Sequence, residues 1–397
     1  MSVLGVLMRY KISYSFPLLD QKHVLHSHSH FAFTGWVTQA LLLLLVYFLQ
    51  QHRPDAFKKY QSLLWLNLIC AYGMLVSFIL QGYALFSISF STLSILVAYA
   101  FAVVYWKDLN RIKAAGAASI WLKASLLFNV LSSLGAFSLA AFMALKMVDQ
   151  KIYLGSVYYF LHFQYNGWFF FACMGLFVYA AKLHAQNGMR RVFWLLAGAC
   201  IPAYLLSILW AAVHPMLYAA VLISSLMQTA GWALFVYQLF KNKEMLRSTF
   251  SRAAGLLLKL AAVACTIKIL LQQGSVIPSL SKLAFGFRPI VIGYLHLVLL
   301  GVITLFLLAY MLWQKMIPTN KASSVGLSIF VTGIFLNELL LMTQGLTAIT
   351  GIMLPYLNEA LLGAAITLFF GLLVLYVAVH KHRVAPPQLH AASFPGK

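Results

Sequence analysis

Residues 26–46 read HSHSHFAFTGWVTQALLLLLV, with three histidines at alternate positions leading straight into an unbroken apolar run. Imidazole is costly in hydrocarbon, so histidines at the mouth of a membrane-length run point to a function or to helix–helix contacts. The run is long enough for a span, since about 20 apolar residues cross a bilayer core. The same character extends over the whole chain. Of 397 residues, 62% are hydrophobic and 9% charged, with a mean hydropathy of +0.87, whereas an ordinary soluble domain has roughly 25% charged residues. About eleven runs reach span length, near 29–50, 61–82, 86–106, 120–145, 156–181, 191–212, 215–240, 254–272, 290–313, 324–345 and 359–380. The expectation is an all-α, polytopic membrane bundle forming one membrane domain, with lipid as its constant partner.

The first residues, MSVLGVLMRYKISYSF, hold too short an apolar stretch for a secretory leader, and Arg9 and Lys11 break it. They read as part of the working chain. The formal net charge of +21 does not imply nucleic acid, because the basic residues sit in short clusters between spans. Arg53, Lys58 and Lys59 follow the first span. Loops of the same parity carry Lys107, Arg111 and Lys113, then Lys182, Arg190 and Arg191, then Lys241, Lys243, Arg247 and Arg252, then Lys315 and Lys321, and finally Lys381 and Arg383. The positive-inside rule makes these loops cytoplasmic. It predicts a multi-pass protein of the plasma (inner) membrane with its N-terminus outside and a cytoplasmic tail at 384–397. Cys70, Cys173, Cys200 and Cys265 all lie inside apolar runs, which predicts packing residues rather than disulfides or a zinc site.

Against this map, His30 opens span one, His162 lies in span five and His296 in span nine, four spans apart each time. The segments read HFAFTGW, HFQYNGW and HLVLLGV, so each histidine has Gly35, Gly167 or Gly301 five residues on. A recurrence of this kind is the mark of internal repetition. It predicts a pseudo-threefold arrangement of four, four and three helices, with repeats at 26–150, 151–285 and 286–383. Neutral imidazole is the usual axial ligand of haem iron and a common copper ligand. Glycine just over one turn further on leaves room for a flat macrocycle.

This pattern resembles the haem-copper oxidase superfamily, namely subunit I and its nitric oxide reductase relatives, and more loosely the NnrS-type haem and copper membrane proteins. Removing that family's first helix leaves eleven helices, an outside N-terminus, and ligand helices at positions one, five and nine. The resemblance implies b-type haem held by His30 and His296, with His26 and His28 as register alternatives to His30. It implies a copper position at His162. The chain departs from the family at Tyr294, which stands where the tenth helix has a second histidine, and in span six, which lacks the histidine pair that completes the copper site. Haem iron with less than one copper per chain is therefore the expectation. The implied function is electron transfer, or oxygen or nitric oxide chemistry or sensing, with an electron-donor protein or companion membrane subunit as partner.

Other residues bear on function. His214, in HPMLY at the outer end of span seven, is placed either as a further metal ligand or as an interfacial turn residue. His23, His26, His28 and His30 together have the composition of a surface copper or zinc site. Glu338 and Lys268 are the deepest charges, and they line a proton route or pair with each other. Gln164 and Asn166 beside His162 suggest a polar pocket. The contrasting function is a proton-coupled transporter or channel built from repeats. Walker, Rossmann, paired-carboxylate and Ser-His-Asp patterns are missing from the sequence.

Overall fold

The computed structural model describes residues 1–146, 149–183, 186–211 and 214–382, so the expected tail lies outside the described residues. Among these residues the chain is helical, with no strand. A short helix, α1 (Ser2–Ser13), precedes α2 (Gln21–Gln50), α3 (Ala56–Gln81), α4 (Leu85–Leu109) and α5 (Lys113–Ala144). Helix α6 occupies 150–180, followed by α7 (Gly188–Ala211) and α8 (Pro215–Lys241). The rest comprises α9 (Lys243–Thr249), α10 (Arg252–Gly274), α11 (Pro278–Gly286), α12 (Arg288–Trp313), α13 (Lys321–Thr350) and α14 (Leu357–His382).

Ten of these helices are long and apolar enough to cross a membrane, which makes this a multi-pass membrane protein. All ten coincide with runs counted in the sequence. The eleventh run is α6, which is long enough but less apolar because Gln164, Tyr165 and Asn166 interrupt it. Every residue from His162 to Phe169 is buried, so these polar groups face protein rather than lipid. A buried polar helix is stable at membrane depth when neighbouring helices satisfy its side chains.

Helix α6 is the hub of the bundle. It packs along α5 on one side and touches α2, α7 and α12 on the others. Glycines permit the close approaches. A Cβ at Gly135 of α5 would come within 2.6 Å of backbone atoms of α6, and one at Gly167 would come within 2.5 Å of Phe128. The four cysteines are free and buried, as their apolar settings predict.

At the end of the bundle that carries the basic loops, the first loop charges do more than mark topology. The buried carboxylate of Asp108 accepts from Arg53 at 2.8 Å, Lys59 at 2.6 Å and the Tyr60 hydroxyl at 2.9 Å. One acidic residue at the end of α4 thus ties together α3, α4 and the loop after α2.

Candidate functional site

In all three histidine helices the regular α-helical turn stops at the histidine. The α-helical stretch Gln21–His30 gives way to a π-helical segment at Phe31–Thr38, Gln150–His162 to one at Phe163–Phe169, and Arg288–His296 to one at Leu297–Thr304. A π-helix widens the turn by one residue, re-aims the side chains before and after it, and is frequent at functional sites. Each segment contains the glycine found in the sequence, Gly35, Gly167 or Gly301.

The glycines do not open space for a macrocycle. A Cβ at Gly35 would strike the ring of Phe31 at 2.6 Å, one at Gly167 would strike Phe128, and one at Gly301 would lie 3.2 Å from Ala264. Their faces are filled by close packing, which corrects the expectation that they make room for a flat ligand.

The π segments meet one another through a contact that the histidine spacing did not reveal. Trp36, six residues after His30, donates its indole N–H to Thr304, eight residues after His296, at 3.0 Å. Trp168, six residues after His162, donates to Thr38, eight residues after His30, at 3.3 Å. The same donor offset meets the same acceptor offset at two of the three junctions. At the third, the corresponding residues are Val302 and Phe170, which have no such groups. The tryptophan of the HFxxxGW stretches was the signal in the sequence.

The histidines themselves part company. Positions 23, 26 and 30 share a helix face, while 28 points roughly opposite. His23 Nδ1 donates to the Ile79 carbonyl at 3.3 Å, the His26 ring meets Tyr83 edge-on at 4.6 Å, and His30 stacks on Phe78 at 4.3 Å. His30 Nε2 shares a 2.9 Å hydrogen bond with the Tyr83 hydroxyl. This aromatic end of α3 occupies three of the four histidines, so the run does not gather as a surface copper or zinc site. Among the described residues, no group of three or more His, Cys, Asp or Glu side chains is arranged to hold a metal ion.

His28 faces the other way, against α1 at Gly5, within electrostatic range of both His296 and Arg9. Its Nδ1 is buried with no hydrogen-bond partner. His296 Nδ1–H donates to the Ile292 carbonyl at 2.8 Å, which leaves Nε2 as the nitrogen with a free lone pair. Arg9 lies within range of His296 as well and forms no ion pair among the described residues. Burial disfavours its charge and holds the guanidinium below its ordinary value. The short N-terminal helix α1 packs against α14 and α2 and closes this corner.

No protein-family model matches the chain, and no curated protein matches it in sequence.

His162, expected at a copper position, has both ring nitrogens engaged. Nε2–H donates to the Cys200 carbonyl of α7 at 2.8 Å, and Nδ1 accepts from Asn166 at 3.1 Å. Gln164 turns away from this pair and donates to Asn129 and Ser132 of α5, so the two amides do not share one pocket. His214 is exposed, and its Nδ1 accepts the Met216 N–H at the start of α8. It has the geometry of a helix cap.

Lys268 and Glu338 do not pair. Lys268, 6% exposed, lines a cavity of about 30 Å³ with His162, Asn166, Cys200, Cys265 and Gln272, its ammonium 5.9 Å from the centre of the Phe170 ring. Glu338 lines a separate cavity of about 600 Å³ among α6, α7, α10, α11, α12 and α13. Gln272 borders both.

Proposed function

We propose that this protein is an integral membrane haem protein with haem-copper oxidase-like architecture, in which His28 and His296 would hold the haem. The observation that carries the reading is the state of these two imidazoles. They lie within electrostatic range of one another on the first and ninth spans, one with a buried nitrogen that has no partner, the other with its tautomer fixed by a backbone carbonyl. A histidine that donates Nδ1–H to a carbonyl and keeps Nε2 free is in the form used for metal ligation. The recurrent His-to-π junction and the two equivalent Trp–Thr contacts support the pseudo-threefold plan of four, four and three helices at 26–150, 151–285 and 286–383.

The residues present fit the group. His28 and His296 would hold a b-type haem, and Arg9, which forms no ion pair among the described residues, would meet its carboxylates. Bound there, the haem supplies one-electron redox chemistry. The chain's own part is to fix the His296 tautomer through the Ile292 carbonyl and to cover His28 with α1. Copper is a weaker match, because His162 has no free nitrogen. The electron donor is then a partner protein or companion membrane subunit, and the basic loops lie on the cytoplasmic face of the plasma (inner) membrane.

The test is an optical spectrum of purified protein with and without reductant. Wild type is expected to show split low-spin b-type bands, and His28→Ala or His296→Ala to lose them. His30→Ala and His162→Ala are expected to keep them, since those rings are committed to Tyr83 and to Cys200. Colourless protein from haem-supplemented cells, or full haem retention by both the His28 and His296 variants, refutes the assignment.

A further inference from the structure

The chain has seven acidic residues against 28 basic ones, so each carboxylate stands out. Asp20 and Asp149 accept backbone N–H groups at the starts of α2 and α6. Asp55, Asp108 and Glu244 are in ion pairs with Arg or Lys. Glu359 lies in the first turn of α14, where the helix dipole favours it. Glu338 alone sits in the middle of a span with no cation beside it among the described residues. Its only hydrogen bond there is from the adjacent Asn337 amide at 3.2 Å.

Glu338 faces the 600 Å³ cavity, whose wall is otherwise mostly apolar or aromatic, with Tyr158, Tyr165, Tyr294 and Phe285 around it. The Tyr165 and Tyr294 rings meet edge to face at 6.1 Å. The volume is within the range of small-molecule sites, about 300–1,000 Å³. The rim includes Phe335, Leu339, Met342 and Leu346, which are 50–67% exposed on the lipid-facing surface, so the cavity opens sideways toward the bilayer. His28, His30 and His296 do not line it.

We propose that this cavity is a binding site for a lipophilic cation, an amphiphile with an apolar or aromatic body and one positive charge. Glu338 is the counter-charge, and the tyrosine faces surround the cation. Charge complementarity selects the ligand, since an unpartnered intramembrane carboxyl escapes the cost of its charge by protonation, and a cation entering beside it stabilises the charged form instead. Aromatic faces favour cations further. Access from the lipid phase favours an apolar body, because such a molecule concentrates in the bilayer before reaching the rim.

The probe is tetraphenylphosphonium, with tetraphenylborate as a control of matching shape and opposite charge. Binding to full-length protein in nanodiscs is measured by equilibrium dialysis, corrected with empty nanodiscs. Saturable phosphonium binding is expected, with no saturable borate binding. Glu338→Gln is expected to weaken it roughly 10- to 100-fold, the effect of losing one charged partner, while Glu338→Asp retains intermediate affinity. Ala284→Trp, which fills the cavity from α11 and leaves the carboxylate in place, serves as a second variant should Glu338→Gln fail to fold, and is also expected to reduce binding. No saturable phosphonium binding, equal binding of the borate, or unchanged affinity in Glu338→Gln or Ala284→Trp overturns the proposal.

Discussion

Two histidines two residues apart can do opposite jobs on a helix, and His28 and His30 illustrate it. The sequence spacing that singled out His30 tracked the start of the π segment rather than the direction of the imidazole. Direction follows from helical rotation: 23, 26 and 30 lie toward the end of α3, 26 and 30 against Phe78 and Tyr83, and 28 is left facing α1. That division was available in the sequence from the 3.6-residue period, but the partners on α3 were not, because they are about 50 residues away. At His162 both ring nitrogens are engaged, by the Cys200 carbonyl and the Asn166 amide. Replacing it with alanine removes two buried hydrogen bonds and leaves a void, a loss of about 2–4 kcal/mol when membrane hydrogen bonds and cavity costs are combined. Thermal unfolding in detergent is expected to shift downward while metal content stays the same. An unchanged midpoint, or loss of a stoichiometric metal ion, contradicts the glue role.

Between elements, small polar contacts set the geometry that apolar packing leaves open. Lipid is as apolar as leucine, so helices in a membrane choose their partners by fit and by hydrogen bonds. Ten spans were legible in the sequence because the apolar run is a sufficient signal of a membrane helix, and the run at 156–181 folds as the less apolar helix α6. Junctions were less legible. Trp36 reaches Thr304 across 268 residues, and a tryptophan in an aromatic-rich chain gives no hint of its acceptor. A double-mutant cycle on Trp36→Phe and Thr304→Val is expected to give a coupling of about 0.6–1.7 kcal/mol, the span seen for interhelical bonds in membranes. Additive losses in unfolding free energy remove this contact from the list of determinants. Asp108 was overlooked for a related reason: its basic partners looked like topology signals and nothing more. Asp108→Asn removes the negative charge and replaces one of the two oxygens that accept from Arg53, Lys59 and Tyr60 with a donor amide, and is expected to cost about 1.5–3 kcal/mol, read as a lower unfolding midpoint than that of Asp55→Asn.

Across the whole molecule, charge rather than fold decides which end faces which compartment. If α6 crosses along with the ten more apolar spans, the loops after α2, α4, α6, α8 and α12 share a side. That side holds Arg53, Lys58, Lys59, Lys107, Arg111, Lys113, Arg190, Arg191, Lys243 and Arg247, while the other holds Arg9, Lys11, Lys22, Lys146, Lys151, Lys282 and Arg288. The excess predicts that the first set is cytoplasmic. It also places the His28–His296 corner near the outer face, where an external donor or ligand would meet it. The four native cysteines are buried, so single exposed cysteines can be read against a quiet background. Asn110→Cys and Ser248→Cys are expected to resist a membrane-impermeant maleimide in intact cells and to react after permeabilisation, whereas Gln150→Cys reacts in both. Reaction of Asn110→Cys without permeabilisation, with Gln150→Cys protected, inverts the orientation and moves the histidine corner to the inner side. Labelling of all three from outside breaks the alternation and shows that α6 does not cross.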